Sequence, residues 1–160
     1  AGGTNALRSV GFKFGFLTFM IDLAKGIIPA YLASHDTSLM LMCGGASIIG
    51  HVYPIFYNFR GGKGAGTLLG VSIIALPDSV LYVITTWVVA VVLSGYIGLS
   101  TILAVFILFL YSIIYTSYIY IIFSTISLLF IIFTHRSNIK RMLVGKEDQF
   151  PKVMLFKNNK

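Results

Sequence analysis

Residues 99–133 read LSTILAVFILFLYSIIYTSYIYIIFSTISLLFIIF, and the length and apolarity of this stretch decide the class of fold. A helix needs about 20 mostly apolar residues to cross ~30 Å of hydrocarbon. The stretch is too long for one crossing. Tyr115, Thr116 and Ser117 interrupt it with polar and aromatic side chains that suit a turn at a membrane interface. We therefore read two helices joined there. The many Tyr, Ile and Phe residues over 111–133 are a bias of lipid-facing helices and do not indicate a cofactor site.

Working outward, further candidate spans run over 10–33, 38–56, 64–76 and 80–97. The first carries Asp22, Lys25 and Pro29, and the third is short. The segment 135–160 is polar and basic. The expected fold is an all-α, polytopic transmembrane helix bundle with six visible spans. Composition agrees. Hydrophobic residues make up 57% and charged residues 11%, against about 25% charged in soluble domains. Mean hydropathy is +0.90. A soluble domain of this length could not bury so much apolar surface. We expect one membrane domain over residues 1–160, in which 135–160 is a terminal motif and tail.

The formal net charge is +7. The basic residues are confined to short segments between apolar spans, which argues against nucleic acid. Membrane headgroups and anionic substrates fit better. The single cysteine, Cys43, allows no intramolecular disulfide, and no metal-ligand cluster stands out. No metal and no cofactor are expected.

The connections alternate between two faces. One face holds Arg8 and Lys13, then Arg60 and Lys63, then the 96–101 turn, then Arg136, Lys140, Arg141, Lys146 and the tail lysines. The other holds His35 and Asp36, then Pro77 and Asp78, then the Tyr115 turn, with no Lys or Arg. The positive-inside rule places the first face in the cytoplasm. Only Lys25 among the basic residues lies away from it. The chain opens without Met, which fits either processing or a missing upstream segment, the second being the expectation.

Three polar clusters share that face. The first is Gly2, Gly3, Thr4 and Asn5 with Arg8. Arg8 has the planar fork that grips a phosphate through two bonds, and it equally serves as a topology charge. The second runs Gly50-His51-Val52-Tyr53-Pro54-Ile55-Phe56 and on through Phe59-Arg60-Gly61-Gly62-Lys63-Gly64 to Thr67. Glycines permit close backbone approach, and successive N–H groups in such a turn can cradle an anion. Lys63 adds a charge, and the following helix offers its N-terminal dipole. The spacing is not that of a P-loop. A second reading stands beside the phosphate site: Gly61, Gly62, Gly64, Gly66 and Gly70 as helix-packing residues, with Arg60 and Lys63 as topology signals. Gly44, Gly45 and Gly50 also read as packing positions.

The third cluster is His135-Arg136-Ser137-Asn138-Ile139-Lys140-Arg141, followed by Gly145 and Glu147. In a helix, His135, Asn138 and Arg141 share a face. His135 can move a proton or donate to a phosphate oxygen, while a headgroup-binding basic flank is the plainer reading. Within the first span, Asp22 and Lys25 are spaced to pair with each other. Indirect support of the site by Asp22 is the alternative. His51 reads as a packing residue or a site residue.

In this order the three clusters resemble the three cytoplasmic motifs of the bacterial acyl-phosphate-dependent glycerol-3-phosphate acyltransferases. The first family motif, S-G-N-x-G-A-T-N with an Arg three residues on, is matched at its end by Gly2, Thr4, Asn5 and Arg8, with Gly3 in place of Ala. The second, G-H-x-x-P-x-F-x-x-F-K-G-G-K-G-x-x-T, is matched by Gly50, His51, Pro54, Phe56, Phe59, Gly61, Gly62, Lys63, Gly64 and Thr67, with Arg60 for Lys. The third, H-R-x-N-I-x-R-x-x-x-G-x-E, is matched by His135, Arg136, Asn138, Ile139, Arg141, Gly145 and Glu147. A serine-bearing turn, commonly Y-V-S-L-x-S, here reads Tyr96-Ile97-Gly98-Leu99-Ser100-Thr101, so Gly98 replaces one hydroxyl and Thr101 stands for the other.

The resemblance implies seven spans, the first of them upstream of residue 1. It implies a bacterial plasma (inner) membrane protein, embedded among membrane lipids, with cytoplasmic motif loops. It implies transfer of an acyl chain from acyl-phosphate to the sn-1 hydroxyl of glycerol 3-phosphate, giving lysophosphatidic acid. It assigns His135, Lys63 and Asn138 to the catalytic set. To substrate and phosphate binding it assigns Thr4, Asn5, Arg8, Gly61, Gly62, Lys63, Gly64, Thr101, His135 and Asn138. Thr4 and Asn5 would shape the first loop.

Two competing classes are weaker. A transporter should place ionisable groups near the bilayer midplane, where only Asp22 and Lys25 lie. A phosphotransferase acting on lipid headgroups would need an aspartate cluster for a metal, and this face offers only Glu147 and Asp148.

Overall fold

The structure, a computed structural model, describes residues 2–150, without the side chains of Thr4, Asn5 and Arg8. The side-chain roles expected of those three residues, and the tail over 151–160, lie outside the described residues. All regular structure among the described residues is helical. It falls into two compact units, Ala1–Pro77 and Asp78–Lys160.

In the first unit α1 spans Gly3–Val10, α2 Phe12–Leu32, α3 Thr37–Val52 and α4 Ala65–Ala75, with a 3-10 turn at Ile55–Tyr57. The backbone of Thr4 and Asn5, expected to shape a loop, is the first turn of α1. Helix α2 packs against α1, α3 and α4. Gly66 and Gly70 lie one turn apart on α4. A Cβ on Gly70 would collide with the Leu23 carbonyl of α2, and one on Gly26 of α2 with the Thr67 carbonyl of α4. The two helices therefore touch backbone to backbone, the packing that small residues four apart allow in lipid. Gly44 of α3 likewise makes room for Val71 of α4. Gly45 and Gly50 do not fit their expected packing role, because nothing stands within 4 Å of where their Cβ would lie. Gly70→Ala should thus destabilise the protein by roughly 1–3 kcal/mol through overpacking, and Gly45→Ala should not. Thermal melting in detergent checks this, and equal tolerance of both changes would overturn the packing account.

Pro29 sits inside the last turns of α2. Lacking an N–H, it leaves the Lys25 carbonyl without its helical donor. The Ser47 hydroxyl of α3 donates to that carbonyl at 2.5 Å. An unsatisfied backbone group is costly in hydrocarbon, so this one bond both relieves the proline and fixes α3 against α2. At the start of α3, Asp36 caps the helix by accepting from the Leu39 N–H at 2.7 Å.

In the second unit α5 spans Ser79–Ser94, α6 Ile97–Tyr115, α7 Tyr118–Thr134 and α8 Arg136–Leu143. The break between α6 and α7 falls at Thr116 and Ser117, where the sequence predicts it. Hydroxyls turn back onto their own helices. Ser100 donates to the Tyr96 carbonyl and Ser112 to the Leu108 carbonyl, each at 2.9 Å. This satisfies them in an apolar setting. Ser79, Ser100, Ser112 and Ser124 are fully buried, which lets helices approach closely.

Three segments are long and apolar enough to cross a membrane: Phe12–Leu32, Thr37–Tyr57 and Ile97–Tyr115. Tyr118–Thr134 passes only together with Arg136–Leu143, across a bend of 55°. Helices α4 and α5, with 11 and 16 residues, rise about 17 and 24 Å at 1.5 Å per residue. They fall short of ~30 Å, so the six expected crossings are not all built from helices of full spanning length.

Candidate functional site

In the first unit the glycine-rich segment lies against the end of α3. The Gly61 N–H donates to the Val52 carbonyl at 3.0 Å, and the Gly62 N–H to the His51 carbonyl at 3.2 Å. These bonds close the base of a loop over 53–60. Its tip turns through Asn58 and Phe59, both at positive φ. The tip side chains are exposed, Phe56 to 95%. Gly61 and Gly62 must be glycine, since a Cβ on the first would strike the His51 carbonyl and one on the second the His51 ring. This corrects part of the expected anion cradle. The N–H groups of Gly61 and Gly62 are engaged by α3, so they are not the donors of a phosphate nest. The first-turn N–H groups of α4, which have no intrahelical partner, follow directly, and Lys63 stands just ahead of them. Gly64 caps α4 at φ +88°, a conformation that glycine adopts without strain.

Behind this loop lies a polar contact that the sequence reading leaves half seen. Asp22 Oδ1 stands 3.2 Å from Lys25 Nζ, the pairing expected within α2, and also 3.2 Å from Nδ1 of His51 at the end of α3. The Asp22 and His51 side chains are 8% and 6% exposed. His51 is therefore both packed and polar, and Asp22 joins two helices as well as pairing along one.

In the second unit His135 stands between α7 and α8 and is 4% exposed. Its Nδ1 lies 2.9 Å from the Ile131 carbonyl. A carbonyl can only accept, so Nδ1 carries a hydrogen; Nε2 is then a proton acceptor in the neutral ring and a second donor in the protonated one. Asn138, also buried, donates from Nδ2 to Glu147 Oε1 at 2.6 Å, and Arg141 Nε donates to Glu147 Oε2 at 2.6 Å. The shared face expected of Asn138 and Arg141 is thus real, and Glu147 holds it. Gly145 makes this return possible. At φ +66° it ends α8 with the Lys146 N–H on the Arg141 carbonyl and the Gly145 N–H on the Met142 carbonyl, the paired bonds of a Schellman turn. Gly98 of α6 faces Asn138, whose Cβ, Cγ and Nδ2 lie 3.1 Å from where a glycine Cβ would stand.

Thr101 differs from its expected role as a substrate ligand. Its hydroxyl donates to the Ile97 carbonyl at 2.9 Å and accepts from the Trp87 indole at 3.3 Å. A hydroxyl has one proton to donate, and here the helix receives it. Arg136, exposed at the start of α8, reaches back to the end of α7, donating to the Phe133 carbonyl and lying over the Phe133 ring.

The family model described as glycerol-3-phosphate acyltransferase matches residues 1–145. The chain belongs to the glycerol-3-phosphate acyltransferase family. Relatives carrying the same name include proteins from Finegoldia magna, 40% identical over 95% of this chain and 79% of theirs, and from Aquifex aeolicus, 36% identical over 93% and 80%. Two crystal structures of PlsY, an integral membrane glycerol 3-phosphate acyltransferase, are similar at 35% identity. The glycerol 3-phosphate form aligns with a TM-score of 0.90 over 93% of this chain and 77% of that one. The lysophosphatidic acid form aligns with 0.88 over 93% and 79%. The family assignment and the helices together make the chain an all-helical integral membrane protein. Every cluster from Gly2 to Gly145 falls within the matched segment, and Glu147 lies two residues beyond it.

Proposed function

We propose that the chain transfers an acyl group from acyl-phosphate to the sn-1 hydroxyl of glycerol 3-phosphate, giving lysophosphatidic acid for phospholipid synthesis in the bacterial plasma membrane. The carrying observation is the pair of polar clusters built on family motifs, one at the start of α4 and one at the α7–α8 junction. The positive-inside count supports cytoplasmic motif loops and a cytoplasmic C-terminus.

Acyl-phosphate is a mixed anhydride with phosphate as a good leaving group, so no covalent enzyme intermediate is required. The glycerol hydroxyl oxygen bonds to the acyl carbon, the bond from that carbon to the phosphate oxygen breaks, and inorganic phosphate leaves. The hydroxyl proton passes to a phosphate oxygen or to His135 Nε2. The protein's part is to place the hydroxyl near the carbonyl and to stabilise developing negative charge. We assign Arg8, Lys63 and the first turn of α4 to phosphate binding, and His135 with Asn138 to charge stabilisation. The acyl chain needs only an apolar bundle, since each CH₂ removed from water contributes about 0.8 kcal/mol.

The test offers labelled glycerol 3-phosphate with acyl-phosphate, acyl-CoA or acyl carrier protein in separate reactions. Product is expected from acyl-phosphate alone. Lys63→Ala is expected to raise the KM of a phosphate substrate roughly 10- to 100-fold, as loss of one charge-assisted contact does. Product from acyl-CoA but not acyl-phosphate would overturn the donor assignment, and an unchanged Lys63→Ala enzyme would overturn the site.

A further inference from the structure

The geometry points to Asp22 as a positioning residue that acts through His51. It sets the loop carrying Lys63 and the first turn of α4, and with it the affinity for a substrate phosphate. This rests on the function proposed above. Asp22 belongs to none of the three motif clusters and lies in the middle of α2.

Three observations carry it. A carboxylate within a membrane helix is costly unless partnered, and Asp22 has a sufficient partner on its own helix in Lys25. It nevertheless also contacts His51 of another helix, at 3.2 Å. A carboxylate only accepts, so His51 Nδ1 carries the hydrogen and the ring orientation is set. The opposite edge of that ring lies where a Cβ on Gly62 would stand. The His51 backbone grips the same glycine, through its carbonyl and the Gly62 N–H. Lys63 is the next residue, and α4 starts two residues later. Asp22 also meets the far side of this segment directly, because a Cβ on Gly66 would come within 3.2 Å of Asp22 Cβ. One buried side chain therefore touches both the histidine that clasps the glycine loop and the helix turn that follows it. A residue needed only to neutralise Lys25 would require neither contact.

The experiment uses the full-length membrane enzyme, with wild type, Asp22→Ala, Asp22→Asn, His51→Ala, Asp22→Ala/His51→Ala and Lys25→Met. KM and kcat are measured for glycerol 3-phosphate and for acyl-phosphate. Hydrogen exchange is followed over residues 61–64. Asp22→Ala is expected to raise the KM of one phosphate substrate at least tenfold while kcat changes less than threefold. The substrate affected identifies which phosphate the loop holds. Asn retains an acceptor for His51 and should return KM to within threefold of wild type. The double variant should be no more than twofold worse than His51→Ala, since coupled residues are not additive. Lys25→Met should stay within twofold of wild type. Exchange at Gly61 and Gly62 should quicken in Asp22→Ala. An unchanged KM, a fall in kcat alone, or multiplying defects in the double variant would overturn the inference. If the wild type makes no product from any donor, the functional reading has failed instead. Exchange then decides the clasp by itself: faster exchange supports it, and unchanged exchange overturns it. Should Asp22→Ala fail to fold, the proposal stands or falls on His51→Ala, for which the same rise in KM and quickened exchange are expected.

Discussion

Replacing His135 with alanine is expected to lower kcat/KM about 1000-fold, or roughly 4 kcal/mol of transition-state stabilisation. The size follows from burial. His135 is 4% exposed, and a donor or proton acceptor shielded from water acts more strongly than a solvated one. Two further variants separate the ring's two nitrogens. Asparagine reproduces a donor near Nδ1, so His135→Asn should keep the bond to the Ile131 carbonyl and melt close to wild type. It removes Nε2, and should be nearly as inactive as alanine. Glutamine places a polar group near Nε2 but cannot carry a proton away as imidazole does. If His135 chiefly stabilises charge, His135→Gln should recover at least tenfold over alanine. Activity of His135→Asn equal to wild type would remove Nε2 from the reaction.

Much of this is legible in the sequence. The 99–133 stretch requires lipid and places its own break, because polar and interfacial side chains gather where the hydrophobic run exceeds one crossing. The motif glycines were also legible as positions that need close approach. What they approach was not. Gly61 and Gly62 are spaced like an anion nest, yet their N–H groups point back to α3. Sequence shows that a residue must be small, and not which neighbour demands it. Thr101 is a related case. Its hydroxyl has the right chemistry for a substrate contact, but a threonine in a helix readily bonds the carbonyl four residues back, as this one does.

The Asp22–His51 contact escaped because it joins residues 29 positions apart on different helices, with a nearer partner for Asp22 at i+3. A buried carboxylate in a span was a signal of something, and it gave no direction. The backbone needs of Pro29 were legible as a missing donor, while the compensating Ser47 on α3 was not. In each case the local requirement is written in the chain, and the distant group that meets it is chosen by packing.

Glu147→Ala should destabilise the protein by roughly 1–3 kcal/mol, the scale for leaving a buried donor without its acceptor. Its carboxylate receives Asn138 on one oxygen and Arg141 on the other, both at 2.6 Å. Asn138 is buried and would lose an acceptor it cannot replace with water. Arg141 is 46% exposed, so solvent softens its share, and most of the cost falls on Asn138. Loss of activity should follow loss of this side-chain orientation. Glutamine separates the two. Its carbonyl oxygen can still accept from Asn138, while its amide meets the Arg141 donor with another donor. Glu147→Gln should therefore melt between wild type and alanine and keep most of its activity after correction for the folded fraction. Glu147→Ala should show a lower melting temperature in detergent and little acyl transfer even where it is folded. Equal activity per folded molecule in all three proteins would mean that Glu147 braces α8 and contributes nothing to how Asn138 is presented.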